Sequence, residues 1–566
     1  MNRLILVILI ILNSGLLAFS QNSNWVWART STGAVEGSDL ATDIFGNAYI
    51  SGNFFSSSIS FGPYALYNPD PGNSNACLAK YDSTGNVLWA KGPVGTSWCQ
   101  DIATDNLGNV YMSGYFTSAS ISFGSYTFNK LGTVDAFVVK YNAAGDVIWA
   151  RSAGGNGGNS SGNSIAIDFA GNVYLSGVFN SSTISFNSVS ISNIFGWDIF
   201  LCKYDSSGNA IWAKNIIGSL RKTHLATDLS GSVYMTGSFN TSTAVFGSTT
   251  LLNSGFDDIF IAKFDSSGNA IWAKSVGGNS SDEGACIITN NLGLVYISGN
   301  FNSSSILTES TSITNHGCAD IFLAKYDSSG TELWAKSIGS AANDRTSTGG
   351  LSTDGLGNIF MSGGFGDFVC GYAEITFDQF TLVTSGFDPM FIVKFDQNGM
   401  AVCAASLPAG GNDIEFTNAI SADAFGNIYT GADYGIGQFI VGADTLYPGG
   451  SESLFIARYS CIDTVLTDTT FESEPDTLIM PNVFTPNHDN LNEIFNPIKI
   501  KGFKINQISI FNRWGNLIHT ENAPTILWDG TIRNEMASSG VYYWIINYQN
   551  SEGKHNKLKG FLHLIR

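Results

Sequence analysis

From Asp258 to Lys274 the chain reads DIFIAKFDSSGNAIWAK. The stretch reads as two apolar strands turned over Ser-Ser-Gly. The chain writes it again as DIFLCKYDSSGNAIWAK from Asp198 and DIFLAKYDSSGTELWAK from Asp320, with looser copies at Ala76 and Asp135. A second phrase runs beside it: ATDIFGNAYISGNF from Ala41, ATDNLGNVYMSGYF from Ala103, AIDFAGNVYLSGVF from Ala166 and ATDLSGSVYMTGSF from Ala226, with weaker copies at Ile288, Ser352 and Ser421. Its aromatic (Tyr49, Tyr111, Tyr174, Tyr234, Tyr296, Phe360, Tyr429) advances by 62, 63, 60, 62, 64 and 69 residues. The chain therefore repeats one unit of about four short strands seven times. A long regular period of this kind signals a solenoid or propeller, and four hairpin-joined strands per unit predict a seven-bladed β-propeller.

The turn chemistry agrees. Both hairpins of a unit use D-x-x-G-N, as in Asp105 to Asn109 and Asp265 to Asn269; the Asp bonds its own turn and the Gly supplies a positive φ. Setting Asp265 opposite Asn269 puts Trp272 across from Ala262, flanked by Phe260 and Phe264. The repeated Trp (27, 89, 149, 212, 272, 334) is thus expected to fill space between blades rather than to stack a ligand. The basic column Lys80, Lys140, Lys203, Lys263, Lys325, Lys394 and Arg458 is expected to pair with nearby turn Asp residues rather than to hold an anion. At the two ends, WVWAR (Trp25–Arg29) is a closing strand without a partner, while LFIARYS (Leu454–Ser460) lacks its successor. Pairing them closes the ring and removes exposed sheet edges.

With GNVYxSGxF, DIFLAKYDSSGN and WAK, the unit resembles the SBBP-type β-propeller repeat of secreted bacterial proteins, over residues 25 to 460. The resemblance implies a fold but no ligand, since propellers host binding, adhesion and catalysis alike.

Composition is consistent with sheet: only 13% of residues are charged, against 63 Gly and 13% aromatics. The N-terminal MNRLILVILIILNSGLLAFSQ puts Arg3 before an apolar run and ends in a small-residue cleavage site between Ser20 and Gln21, so residues 1–20 read as a signal peptide. Asn13-Ser14-Gly15 interrupts the run too early for a membrane anchor, and the mature chain is expected to have none. Eight cysteines (77, 99, 202, 286, 318, 370, 403, 461) show no C-x-x-C pair, which argues against zinc and a dense disulfide framework. Cys202 and Cys403 fill repeat positions held elsewhere by Ala and Trp and read as small core residues; Cys77 and Cys99 have the option of pairing in an oxidising compartment. A net charge of -19 argues against nucleic acid and anionic membrane as partners.

After residue 460 the pattern stops. Residues 461–479, CIDTVLTDTTFESEPDTLI, carry five acidic and no basic residues and read as a solvated linker. Residues 480–566 carry nine basic and six acidic residues, and their alternating apolar pattern predicts a small Ig-like β-sandwich. The motifs MPNVFTPNHDNLNEIFNPIKI, ISIFNRWGNLIHT, ILWDG, SSGVYYWIINYQ and LKGFLHLIR resemble, in order and spacing, the gliding-motility-associated C-terminal domain, the type B sorting signal of the type IX secretion system. The residues that carry this are Pro481, Asn482, Phe484, Thr485, Pro486, Asn487, Phe511, Asn512, Arg513, Trp514, Gly515, Trp528, Asp529, Gly530, Gly540, Tyr542 and Arg566. The resemblance implies a module that directs passage across the outer membrane and has the secretion machinery as partner. Where the family has a glycine-bearing loop, this chain has Asn487 to Glu493 with His488 and Asn490. Its side-chain oxygens could ligate Ca²⁺, but a hydrogen-bonded turn is the preferred reading, and no cofactor is expected.

Catalytic constellations are scarce. Four of six His (488, 519, 555, 563) lie in the C-terminal module, and there is no H-E-x-x-H, P-loop or dinucleotide fingerprint. Gly158 to Gly162 formally matches G-x-S-x-G, but in a Gly/Asn/Ser run rather than a strand-to-helix elbow. Departures from the repeat are the better guide to a ligand. They gather at Gly363 to Ser385 and Phe61 to Asn73, and make Tyr64, Tyr67, Phe365, Phe368 and Tyr372 the candidate contacts to a surface glycan or protein. The expectation is an extracellular or surface-held, non-enzymatic adhesion or binding scaffold, with a role in gliding as an extension. A glycan-active enzyme and a purely structural surface-layer spacer are the alternatives.

Overall fold

In a computed structural model of the chain, the structure describes residues 24–461 apart from 195, 219, 291, 355–356, 367–373, 384–388, 408–418, 425, 436–437 and 450–452. Of the C-terminal part it describes 477–479, 483–484, 486, 495, 499–501, 504–512, 516–522, 528–532, 535–549 and 555–564. The expected signal peptide and its Ser20/Gln21 cleavage site lie outside the described residues. The chain divides into two compact units, Met1–Asp463 and Thr464–Arg566. Among the described residues no helix is long and apolar enough to cross a membrane.

The first unit is a ring of seven antiparallel sheets, each one blade. Blade one runs Val35–Thr42, Ala48–Phe54, Asn75–Tyr81 and Val87–Lys91, paired in that order. The first strands of successive blades pack on one another round the axis, and the fourth strands lie outermost. Second and third strands are buried at nearly every position, as in Ala48–Phe54 and Asn75–Tyr81, because each is covered on both faces by the neighbouring blades; this is why they read as continuous apolar runs.

Each blade also carries a two-stranded hairpin between its second and third strands, which the expectation of four strands per unit leaves out. In blade one it is Ser58–Phe61 with Tyr64–Tyr67, and equivalents recur in all seven blades. The chain crossing from one blade to the next bridges to the new blade's hairpin, as Val94 does to Ser122 and Ile217 to Val245. The ring therefore has a turn face, bearing the D-x-x-G-N turns, and a crown face, bearing the hairpins and crossovers.

The register at the repeated hairpin differs from the expected one by one residue. Trp272 lies opposite Lys263, and Ala273 opposite Ala262, because a bulge falls between Lys263 and Phe264. The Trp thereby reaches across to the next blade's turn. A Cβ at Gly208 would sit 2.7 Å from Trp149, and the indole N–H of Trp149 donates to Ser206 O at 3.0 Å. Trp27, Trp89, Trp212 and Trp272 make the same bond. Glycine at this turn is thus required twice, by its positive φ of 79° at Gly208 and by the indole against it. The expected filling of space between blades is what these tryptophans do.

The lysine column also pairs locally, with the Asp of the same blade's first turn: Lys80–Asp43 at 3.5 Å, Lys140–Asp105 at 3.2 Å, Lys203–Asp168 at 3.7 Å and Lys263–Asp228 at 3.8 Å. Each ammonium also lies over the repeat tyrosine, 4.9 Å from the Tyr49 ring for Lys80, and that tyrosine's hydroxyl donates to the same Asp. Burial pushes the Lys80 ammonium below its ordinary pKa, opposed by the Asp43 carboxylate. Blade five has Asn290 in place of that Asp, and Lys325 there donates to Gln397 O at 2.7 Å; Arg458 of blade seven donates to Ser83 O at 2.8 Å.

Ring closure is direct. Trp25–Thr30 pairs antiparallel with Ser453–Tyr459, from Trp25↔Tyr459 to Thr30↔Phe455, as the outer strand of blade seven. Trp27 then latches onto the blade-one turn at Ser83 O, 3.0 Å away. Cys403 corrects its expected role as a core residue. It occupies the outer-strand Trp position opposite Lys394 and is disulfide-bonded to Cys461, just past the closing strand. Cys202 is a buried core residue as expected, and Cys77 and Cys99 are buried free thiols.

In the second unit a five-stranded sheet runs Val483–Phe484, His555–Leu564, Gly540–Gln549, Lys504–Asn512 and Leu517–Asn522. One face carries Ile508, Ile510, Trp544, Ile546 and Leu562 into a core shared with Phe484, Phe495 and Trp528. Trp528 is the anchor: fully buried, edge-on to Tyr542 at 5.1 Å and bonded through its indole N–H to Thr531 O. Of the sorting-motif residues, Phe484, Pro486, Phe511, Asn512, Trp528, Asp529, Gly530, Gly540 and Tyr542 are described. Pro481, Asn482, Thr485, Asn487, Arg513, Trp514, Gly515 and Arg566 lie outside the described residues, as does the loop Asn487 to Glu493.

Candidate functional site at the propeller axis

Aligning the seven units on the A-T-D phrase isolates one column in which the repeat changes chemistry at almost every step. Two residues before the Ala or its equivalent stand Asp39, Asp101, Ser164, His224, Cys286, Gly350 and Ala419. The residue that follows is always Leu or Ile, from Leu40 to Ile420, while the one before the column varies too, from Ser38 and Gln100 to Ala285 and Gly349. The structure puts the column on the first strands, where they line the axis.

A bulge shapes this lining. The first and second strands slip register between Gly37 and Asp39, Cys99 and Asp101, Gly162 and Ser164, and Gly284 and Cys286, re-aiming the side chain that follows. Asp39, Asp101 and Ser164, and in blade four His224, each take a backbone N–H from the next blade. Asp39 accepts from Ile102 at 3.1 Å, Asp101 from Ile165 at 2.8 Å, Ser164 from Leu225 at 3.0 Å and His224 Nδ1 from Ile287 at 3.3 Å. The Ser164 hydroxyl donates to Asp101 at 2.6 Å, and Cys286 Sγ lies 3.9 Å from His224 Nδ1.

The electrostatics of this ring are those of a closed, mostly neutral site. Burial, reinforced by the Asp101 charge, raises the Asp39 carboxyl well above its ordinary value. Burial lowers the His224 imidazole, against the pull of Asp101, and burial raises the Cys286 thiol. Thiol and imidazole are both held in their neutral forms, so Cys286 and His224 do not constitute an activated nucleophile and base. Ser160, the centre of the formal G-x-S-x-G, is fully buried in the strand Ser160–Ile167 and is no nucleophile elbow. Among the described residues no group of three or more His, Cys, Asp or Glu could hold a metal ion.

The Asp39 shift has a stability consequence. A carboxyl whose folded pKa lies above its unfolded one binds its proton more tightly in the fold, so the stability it contributes is present below the unfolded value near 4 and is lost as pH rises through the folded value. Asp39→Asn keeps an acceptor for Ile102 and removes the charge. It is expected to melt with the parent at pH 4 and about 2–4 °C above it at pH 8, a difference that thermal unfolding across this range would measure. A parent and variant with parallel pH profiles would refute it.

At the crown end of the axis a second column varies, the x of S-G-x-F: Asn53, Tyr115, Val178, Ser238, Asn300, Gly364 and, in blade seven, Asp433. Asn53 clasps the next blade, accepting from Cys99 N–H at 2.7 Å and donating to Cys99 O at 3.3 Å, and donates also to Ser38 Oγ of its own blade at 2.8 Å. Asn300 clasps Thr346 in the same way, and Asp433 accepts from Gly37 N–H. Tyr115 makes no such clasp. It lies opposite Trp98 in the ladder and stacks on it, centroids 5.1 Å apart and planes 11° apart, both rings half-buried. Burial, with Glu36 of blade one beside it, raises its phenol. Lys222 of blade four, at the bulge position held by Gly37, Gly162 and Gly284 elsewhere, has a left-handed φ of 42° and reaches Glu283 at 3.7 Å.

The sequence-derived candidates divide. Tyr64 and Tyr67 are exposed, Tyr67 at 76%, on the blade-one crown hairpin; they belong to a repeated element rather than an irregular loop. Phe365 is corrected: it is fully buried at the end of Ile359–Phe365, in a core with Ile375 and Phe391, because it is the F of S-G-x-F in blade six. Phe368 and Tyr372 lie outside the described residues. The axial and mouth columns were missed, although aligning the units would have exposed them.

Comparison with known proteins fits this picture. Residues 478–564 match the family model of the CHU_C type IX secretion signal domain, and residues 148–181 match that of the β-propeller repeat SBBP. An uncharacterised WD repeat-containing protein, L264, of Acanthamoeba polyphaga mimivirus is 23% identical over 375 residues, 52% of this chain and 27% of that protein. The regulatory protein FlaEY of Caulobacter vibrioides is 27% identical over 159 residues, 26% of this chain and 16% of that protein. The chain thus spans about a quarter and a sixth of these relatives' lengths. A solved structure of unknown function from Dyadobacter fermentans aligns over 77% of this chain and 99% of its own, at 10% identity and a TM-score of 0.32, too low to argue from. The chain is an all-β seven-bladed propeller with a match to the SBBP β-propeller repeat at residues 148–181 and one to the type IX secretion signal domain at residues 478–564, a signal that implies export to the cell surface or beyond.

Proposed function

We propose that the chain is a non-enzymatic binding or adhesion scaffold at the cell surface or in the medium, delivered by the type IX machinery that its C-terminal domain engages; a role in gliding is an extension of the same reading. One observation carries it. The repeat is nearly invariant in its D-x-x-G-N turns and buried strands, and varies along the first strands that line the axis and at the x of S-G-x-F at the crown end, where a ligand would meet the propeller. The chemistry there supports recognition over turnover, since the neutral Cys286 and His224 offer no activated nucleophile.

The test uses full-length protein purified from culture medium. It is expected to bind intact cells of its own source or their extracted surface polymers saturably, and to release no reducing ends from a polysaccharide panel. Release of reducing ends that stops on replacing one acidic pair would make it a glycan-active enzyme. Self-association with no binding to cells or polymers would make it a structural spacer.

A further inference from the structure

The pair Trp98 and Tyr115 is the feature of the crown face that blade packing does not explain. In the same two columns blade one has Glu36 with Asn53, and blade five has Glu283 with Asn300, and there the amide holds the next blade's first strand. Blade two replaces both residues with large aromatics and forgoes that clasp. Blades three and six, with Val178 and Gly364 in the column, also lack an amide there, but blade two sets two stacked, partly buried rings at the mouth. An aromatic whose purpose is packing is buried, as Tyr111 and Tyr174 are in the adjacent repeat column.

The surroundings are polar and mixed in sign. Gln100, at the bulge between Cys99 and Asp101, is exposed. Gly162 of blade three backs so closely onto blade two that a Cβ would lie 3.2 Å from Gly114 O, which brings the half-buried Asn163 beside the Tyr115 strand. Glu36 lies opposite Asn53 in blade one, and the Asn53 amide accepts from the N–H of Cys99, the residue after Trp98. A stacked aromatic pair, with two amides and a carboxylate on neighbouring strand positions and no dominant charge, suits a ligand that lays a C–H face against a ring and offers hydroxyls to the amides. An anion would meet Glu36, and an apolar peptide would leave the amides unpaired.

We propose that the crown mouth between blades two and three is a carbohydrate-binding subsite, with a neutral pyranose lying on the Trp98–Tyr115 platform and its hydroxyls bonded to Gln100, Asn163 and Glu36. This rests on the binding-scaffold reading and names its ligand class. Full-length secreted protein is titrated by calorimetry with gluco-, manno- and chito-hexaose. At least one is expected to bind, and Trp98→Ala or Tyr115→Ser is expected to weaken it tenfold or more with the melting temperature unchanged. Trp98→Phe, which keeps a ring face, restores most of the affinity, and Gln100→Ala, an exposed side chain that the fold does not use, weakens it without touching the platform. The proposal is overturned if none of the three sugars binds, or if Trp98→Ala and Gln100→Ala both bind like the parent. Binding to cells that persists while all three sugars fail would overturn the carbohydrate subsite and leave the scaffold standing; loss of both would remove the two together.

Discussion

Deleting residues 21–30 is expected to lower the melting temperature by about 10 °C and to broaden the transition. The strand Trp25–Thr30 is the outer edge of blade seven, yet it enters the ring from the other end of the chain. Its removal takes away the ladder to Ser453–Tyr459, the Ala28 N–H bond to Asp444 at 2.8 Å, the Tyr434–Thr30 hydroxyl bond at 2.9 Å and the Trp27 latch on blade one. Burial of one large aromatic is worth roughly 3–5 kcal/mol and each net hydrogen bond about 1 kcal/mol, so the loss is on the order of 10 kcal/mol. The entropy of unfolding some 430 residues, about 2 cal/mol/K each, converts that to about 10 °C. Trp27→Ala should reproduce roughly a third of the shift, since it spares the ladder. Because each blade's faces are covered by its neighbours, an open ring exposes two blades at once, and calorimetry should record loss of a single cooperative transition. A deletion variant that melts as the parent does would mean that the ring holds without its closing strand.

The propeller was legible because its determinants are local and repeated. D-x-x-G-N specifies a turn from side-chain and backbone preference alone, and seven copies of an apolar run fix both the number of blades and their continuous burial. The register at Trp272 was not legible, because the bulge at Lys263 and Phe264 is set by the indole reaching the next blade's Gly330 turn, a contact between residues about one full repeat apart. The crown hairpins went unread for a different reason. Their strands are only four residues long and half-exposed, as in Tyr64–Tyr67, so alternation is weak and the phrase varies between units. Phe365 misled because it was taken from an insertion rather than aligned on its own repeat, where it is the invariant buried aromatic. The pairing of Cys403 with Cys461 joins the outer strand of blade six to the chain just beyond blade seven, and spacing alone carries no such information. The axial column needed only the alignment to be seen, but its chemistry, with Asp39 and Asp101 in one enclosed ring, needed the ring to be closed.

Removing residues 478–566 should leave an intact propeller in the periplasm, with nearly none in the medium. The N-terminal apolar segment, read as a signal peptide, accounts for passage across one membrane only, while the matched residues 478–564 form the secretion signal. The propeller is a compact unit by itself, and every blade contact described above lies before Asp463. Truncation therefore separates export from folding: the trapped protein should melt as the full chain's propeller does. Trp528→Ala tests whether the signal must be folded to be read. It empties the centre of a core that includes Phe484, Tyr542 and Leu562, at a cost of roughly 3–5 kcal/mol, a large fraction of what a module of under 100 residues has to spare. Export should fall nearly as far as with truncation if the machinery recognises the folded sheet, and should survive if it reads an extended segment. Conversely, fusing residues 461–566 to a carrier that bears a signal peptide should send the carrier outside, the acidic stretch 461–479 serving as spacer. These fractions are separated in a host with type IX secretion and probed with an antibody to the propeller. Appearance of the truncated chain outside intact cells would overturn the assignment, and the C-terminal module would then have to be tested as a second binding domain.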